Sequence, residues 1–143
     1  NVPEYGTVLF TVADKDKQEG GELAKCLADL GYHLVATGGT AKHLQSLGLS
    51  VTLVDKVHEH KPDIIQMIKT GKINMVINTL THGKEPERDG YKIRRATVEH
   101  AIPCFTSMDT AKAVLEVLTF MRERRLSYVL AIQDYVGGGD SLA

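Results

Sequence analysis

The sequence predicts an α/β fold built on a parallel sheet of five strands, and two observations carry that expectation. Five short apolar, β-branched runs alternate with segments of helical periodicity, which is the pattern of βαβ units. The runs are Thr7 to Val12, His33 to Ala36, Val51 to Val54, Met75 to Asn78 and Pro103 to Thr106. They are nearly continuous in apolar residues, as strands covered on both faces require.

Each crossover segment has its own helical signature. Between the first two runs, Leu23, Cys26, Leu27 and Leu30 fall at i, i+3, i+4 and i+7 and predict one core-facing stripe, closed by Gly31. Ala41, Leu44 and Leu47 before Gly48 predict a shorter second helix. Pro62, then Ile64, Ile65 and Ile68 before Gly71, predict a third. A fourth is expected over Ile93 to His100. A fifth is expected to begin near Asp109, with Ala111, Val114, Leu115 and Leu118 inward and Arg122, Arg124 and Arg125 near its C-terminal end, where the dipole favours cations. The stretch His82 to Lys92, with Gly83, Pro86 and Asp89-Gly90, reads as a polar loop long enough to carry function.

The 143 residues suit one domain, which would bury roughly 68–70% of the unfolded chain's surface. That domain is expected over residues 1–126. Residues 127–143 form a tail in which Tyr128 to Ile132 is apolar enough to dock as an added strand or turn before Gly137-Gly138-Gly139. A net charge of −1 with mixed signs argues against a broad footprint for nucleic acid or membrane, so any anion site must be local. No apolar run approaches the ~20 residues of a membrane span. The two cysteines, Cys26 and Cys104, are too isolated for a zinc motif or a disulfide framework, and a cytoplasmic setting is the simplest expectation.

In a parallel sheet with right-handed crossovers, the strand C-termini emerge at one edge, and ligands bind in the crevice there. The residues expected at that edge are Asp14-Lys15-Asp16-Lys17, Thr37-Gly38-Gly39-Thr40, Asp55-Lys56, Asn78-Thr79-Leu80-Thr81 and Thr106-Ser107. The turn Thr37 to Thr40 is the sharpest item, because Gly38 and Gly39 let the backbone approach a ligand and the next helix points free N–H groups at it. Taken alone, such a turn is as readily a tight strand-to-helix connection in which Thr40 caps the helix. Lys17 or Lys56 would add charge-assisted bonds, and together the set suits a phosphate.

Other candidates read more blandly. His58-Glu59-His60 lacks a third metal ligand, and no metal is expected. His43, His82 and His100 read as surface or capping residues, and Cys26 as packing. Arg94-Arg95 is a second-tier anion candidate, with pairing to Glu87 or Glu99 as its ordinary alternative.

The run Thr11-Val12-Ala13-Asp14-Lys15-Asp16-Lys17, followed by Thr37-Gly38-Gly39-Thr40, Asp55-Lys56-Val57-His58-Glu59, Val76-Ile77-Asn78-Thr79 and Ile93-Arg94-Arg95, resembles the methylglyoxal-synthase-like domain family. Within it the chain is most similar to the allosteric C-terminal domain of the carbamoyl phosphate synthetase large subunit, over about Thr7 to Glu123. The resemblance implies a three-layer Rossmann-like sandwich that binds the phosphate of UMP, IMP or phosphoribosyl pyrophosphate. It also implies a regulatory role in pyrimidine or arginine biosynthesis. Carried over position by position, it gives Lys17, Thr37, Gly38, Gly39, Thr40, Lys56, Asn78, Thr79 and Thr81 as effector-binding positions, with Leu80 standing where some members have threonine.

No cofactor is implied in this domain. ATP and magnesium belong to the parent enzyme's other domains. The implied partners are the small phosphate effector, the rest of the large subunit and the glutaminase small subunit, with room for self-association. The resemblance implies no catalytic residue. Two enzymes of the same fold are the alternatives: methylglyoxal synthase, and the cyclohydrolase that closes the inosine monophosphate ring. The first uses an aspartate base in a Gly-Asp segment where this chain reads Glu59-His60-Lys61-Pro62, and its Trp-Asp-Pro segment is replaced by Leu80-Thr81-His82. The second shares Thr-Gly-Gly-Thr-Ala, but its Arg-Val-Lys-Thr-Leu-His-Pro run is not found here.

Overall fold

Five strands pair in the order β3-β2-β1-β4-β5, all parallel, in a computed structural model that describes residues 6–54, 64–79 and 87–138. The strands are β1 (Thr7–Thr11), β2 (His33–Ala36), β3 (Val51–Leu53), β4 (Met75–Asn78) and β5 (Cys104–Phe105). Their positions match the five apolar runs within one or two residues at each end. Five α-helices accompany them: α1 (Lys17–Asp29), α2 (Gly38–Ser46), α3 (Ile64–Lys69), α4 (Glu87–Glu99) and α5 (Met108–Gly138).

Alternation along the strands divides the core into two layers. Val8, Phe10, Leu34, Ala36, Met75 and Ile77 pack with Leu23 and Leu27 of α1, Ala41 and Leu44 of α2, and Ala111 and Leu118 of α5. On the other face, Leu9, Val35 and Val76 pack with Ile64 and Ile68 of α3 and Ile93 and Ala96 of α4. This is the expected three-layer sandwich, and it explains why the strands read as unbroken apolar runs. Gly31, Gly48 and Gly71 take positive φ just beyond α1, α2 and α3, as the stop signals required.

The strand order reverses beside β1. Chain leaving β1 turns to β2 on one side, whereas β4 reaches the other side of β1 only after the crossover through α3. The register places Thr11 opposite Asn78 at this point. In an open parallel sheet such a reversal leaves a crevice at the carboxyl ends of the strands.

Four sequence expectations are corrected. Cys26 is exposed, because the stripe that α1 turns inward is Leu23, Ala24 and Leu27. Gly21 is buried on the same side: a β-carbon there would fall 2.6 Å from Leu47 Cδ1 and 3.3 Å from His43 Nε2, so α1 approaches α2 and its C-cap through a glycine. Helix α4 begins at Glu87, six residues before the expected start at Ile93, and takes residues 87–92 from the presumed loop. Residues 82–86 of that stretch lie outside the described residues. The fifth helix does not end near Arg125: it runs 31 residues, through Tyr128 to Ile132, where a docked strand or turn was expected. No glycine or proline occurs between Ser107 and Val136, so nothing stops propagation of the helix.

The arginines of α5 therefore sit mid-helix and cannot serve its own C-terminus. Arg122 serves another one, donating from Nη1 to the Asp29 carbonyl at the end of α1, 2.7 Å away. An ion pair between Lys112 and Glu19 makes a second tie between α5 and α1. Among the described residues, no helix is long and apolar enough to cross a membrane.

Candidate functional site

The end of β1 and the two residues after it are stitched to α2 and to the end of β4 by three side-chain hydrogen bonds. Thr11 Oγ1 donates to Asn78 Oδ1 at 2.7 Å. Val12 N–H donates to Thr40 Oγ1 at 3.2 Å, and Ala13 N–H donates to Thr79 Oγ1 at 2.9 Å. Thr40, Asn78 and Thr79 are all buried. Residues separated by 28 to 67 positions in the chain are thus brought to one rim.

Beyond Ala13 the chain enters a single 3-10 turn, Asp14–Asp16, and then α1, whose first residue is Lys17. The Lys17 side chain is 22% exposed and reaches the N-terminal turn of α2: a β-carbon on Gly39 would lie 3.6 Å from Lys17 Nζ. Glycine leaves the peptide itself open at the place where the ammonium sits. Lys17 also pairs with the carboxylate of Asp14. The hydrogen bond and charge of Lys17 hold the Asp14 carboxyl below its ordinary 3.8. A depressed carboxyl favours pairing at neutral pH, and the pair is lost only in acid, as the pH falls through the lowered value.

Helix α2 contributes backbone donors. Thr37 is its N-cap with extended backbone and makes no side-chain capping bond, and the first intrahelical bond runs from Ala41 N–H to the Thr37 carbonyl at 3.1 Å. The N–H groups of Gly38, Gly39 and Thr40 are left over by the helix itself. The positive end of the macrodipole therefore faces the same space as Lys17 Nζ. The structure thus brings together Lys17, Thr37, Gly38, Gly39, Thr40, Asn78 and Thr79. Lys56 and Thr81, with the His58-Glu59-His60 group, lie outside the described residues.

The local reading of Thr40 as a cap is overturned. Thr40 is the third residue of α2, and its hydroxyl turns away from the helix end toward Val12, accepting from the N–H and lying 3.4 Å from the carbonyl. Its side chain braces β1, and what it can offer a ligand is its backbone N–H. Replacing Thr40 by valine keeps the shape and removes the acceptor, leaving the buried Val12 N–H unpaired. A loss of about 1–3 kcal/mol in denaturant unfolding is expected.

Thr11 is a site-building residue that the sequence did not single out. In the sequence it stands inside the first apolar run and opens the run that carries the family resemblance, and its bond to Asn78 appears once β1 and β4 are paired in register. Arg94 stacks over Tyr91 at 4.8 Å, and its Nε is buried without a hydrogen-bond partner among the described residues. Its charge and the Thr97 hydrogen bond pull the Cys104 thiol down, but burial outweighs both and raises it. Cys104 is thus a protonated packing group. No group of three or more metal-ligating side chains occurs among the described residues.

Residues 20–106 match the family described as the MGS-like domain, a span of more than half the chain. The chain belongs to this family. The match takes in α2, β4 and most of α1 but begins after Lys17, so the family pattern alone leaves out the lysine of the cradle. Solved structures of the same fold extend the likeness. Methylglyoxal synthase from Elizabethkingia anophelis NUHP1 superimposes with a TM-score of 0.59 at 20% identity, over 80% of this chain and 79% of that one. ForH superimposes with a TM-score of 0.56 at 22% identity, over 80% of each chain. At such identity the likeness carries the fold and not the activity.

Proposed function

We propose that this MGS-like domain binds the phosphate of a nucleotide effector and acts as the allosteric domain of a carbamoyl phosphate synthetase large chain. The observation that supports a phosphate is the meeting of Lys17 Nζ with the Gly39 backbone, 3.6 Å from where a β-carbon would stand, at the N-terminus of α2. An ammonium, a helix N-terminus and N–H groups without a partner inside the helix favour an anion together, and a phosphoryl group has enough oxygens to meet all of them. The hydroxyl of Thr37, free of capping duty, stands beside them.

The assignment to the synthetase rests on three runs of the sequence: Lys56-Val57-His58-Glu59, Ile77-Asn78-Thr79 and Ile93-Arg94-Arg95. UMP, IMP and phosphoribosyl pyrophosphate are the effectors of that class. Bound effector would bias a conformational equilibrium shared with the rest of the large subunit, and a coupling of about 1–3 kcal/mol is typical of such linkage. The domain needs no ATP, magnesium or catalytic residue for this role.

The reading is tested by a thermal-shift panel of UMP, IMP, phosphoribosyl pyrophosphate, ornithine and N-acetylglutamate, with a methylglyoxal assay on dihydroxyacetone phosphate alongside. A phosphate-bearing effector at 100 times its Kd should stabilise the fold by roughly 2.7 kcal/mol. Stabilisation by one of the three phosphate compounds without methylglyoxal production supports the regulatory role. Production of methylglyoxal would instead make the chain an enzyme of its fold, and the absence of any phosphate-dependent shift would remove the site.

A further inference from the structure

Lys17 occupies an electrostatically awkward position. It is the first residue of α1, where the dipole disfavours a cation, and its ammonium lies against the N-terminal turn of α2, which is also positive. Three sources of positive potential converge there, and the side chain is only 22% exposed. Something negative must offset them. In this structure it is Asp14, whose carboxylate pairs with Lys17 although its own side chain is 97% exposed. The neighbouring acid, Asp16, is turned to Lys15, 3.4 Å away.

We propose that Asp14 is an internal competitor for the anion site: its carboxylate holds the Lys17 ammonium that a phosphate must recruit, and so sets the affinity of the site. This rests on the phosphate reading given above. An exposed acid is free to swing away once a phosphoryl group offers Lys17 more oxygens together with the α2 N–H groups. Asp14 then acts as a stand-in anion that keeps the lysine extended over Gly39 and is released on binding. A fixed share of the binding free energy is spent on breaking this pair, which keeps the site responsive to changing effector concentration rather than saturated.

Titration of the full chain with inorganic phosphate at constant ionic strength tests this, comparing wild type, Asp14→Asn, Asp16→Asn and Lys17→Ala. Asp14→Asn should tighten phosphate binding by about two- to fivefold, the range expected when an exposed ion pair is removed as a competitor. Asp16→Asn takes away the same unit of charge from the same turn without freeing Lys17, and should change the affinity by less than half as much. Equal tightening in both variants would reduce the effect to net charge and overturn the proposal, as would an Asp14→Asn variant that binds like wild type or more weakly. Phosphate binding that is lost in Lys17→Ala but not improved in Asp14→Asn would leave the anion site standing and remove the competitor alone. If neither wild type nor Asp14→Asn binds phosphate, the site and the competitor fall together.

Discussion

Lys17→Ala should weaken the binding of a phosphate-bearing effector by roughly 10- to 150-fold, the equivalent of about 1.5–3 kcal/mol for one charge-assisted hydrogen bond. Lys17 Nζ is held over the Gly39 backbone, and its side chain is largely covered, so little of its charge is lost to solvent screening. The substitution removes a cation from the positive end of α1 and breaks only one exposed pair, so folding stability should hardly change. Titration calorimetry beside thermal denaturation separates the two effects. Unchanged affinity would place the phosphate elsewhere, and a collapse of the melting temperature would make Lys17 a structural residue.

Phe10→Ala should cost about 3–5 kcal/mol of unfolding free energy, the largest stability effect expected for any single truncation in this domain. Phe10 is fully buried on β1, the central strand, paired to Ala36 on one side and Ile77 on the other. Its ring fills the layer shared by α1, α2 and α5, so its loss leaves a cavity that three helices cannot easily close. A domain of this size has only about 5–15 kcal/mol to lose, and the melting temperature should fall by roughly 10 °C or more. Denaturant unfolding with an unchanged m-value is the measurement that checks it. A loss below 1 kcal/mol would mean that the layer repacks around the gap.

The two effects are linked by β1. The strand that carries Phe10 ends at Thr11, and the chain goes on through Val12 and Ala13; the hydrogen bonds of these three residues to Asn78, Thr40 and Thr79 position the turn that presents Lys17. The core therefore sets the site: β1 is clamped between β2 and β4, and the loops that follow those strands are hooked onto its end. Loss of one hook, as in Thr40→Val, is expected to loosen the cradle before it unfolds the domain.

Much of the fold was legible in the letters. The apolar runs, the glycines after α1, α2 and α3, and the alternation of periods placed all five strands. The start of α4 was misread because Gly90 and Asp89 look like turn residues. The end of α5 was misread because an apolar stretch beyond Arg125 resembles a strand when read alone. In both cases a helix already nucleated and packed on the sheet propagated through weak local signals. Cys26 was misread for a related reason, since periodicity fixes which residues share a helical stripe but not which of two adjacent stripes faces inward. Packing of Leu23, Ala24 and Leu27 into the layer shared with α2 and α5 made that choice.

By itself the sequence determined the class of fold, the edge at which the candidate site residues collect, and the presence there of lysine, threonine and glycine. Spacing and polarity are local, so they survive in a linear reading. Tertiary structure alone decided which hydroxyls are committed: Thr40 and Thr79 hold the backbone of Val12 and Ala13 just beyond β1, while Thr37 is left at the α2 cap without a capping bond. It also decided that Lys17 meets Gly39 and that Asp14, rather than Asp16, is its partner. Hydrogen bonds and ion pairs depend on distances of a few ångströms between residues far apart in the chain, and only the pairing of β1 with β2 and β4 sets those distances.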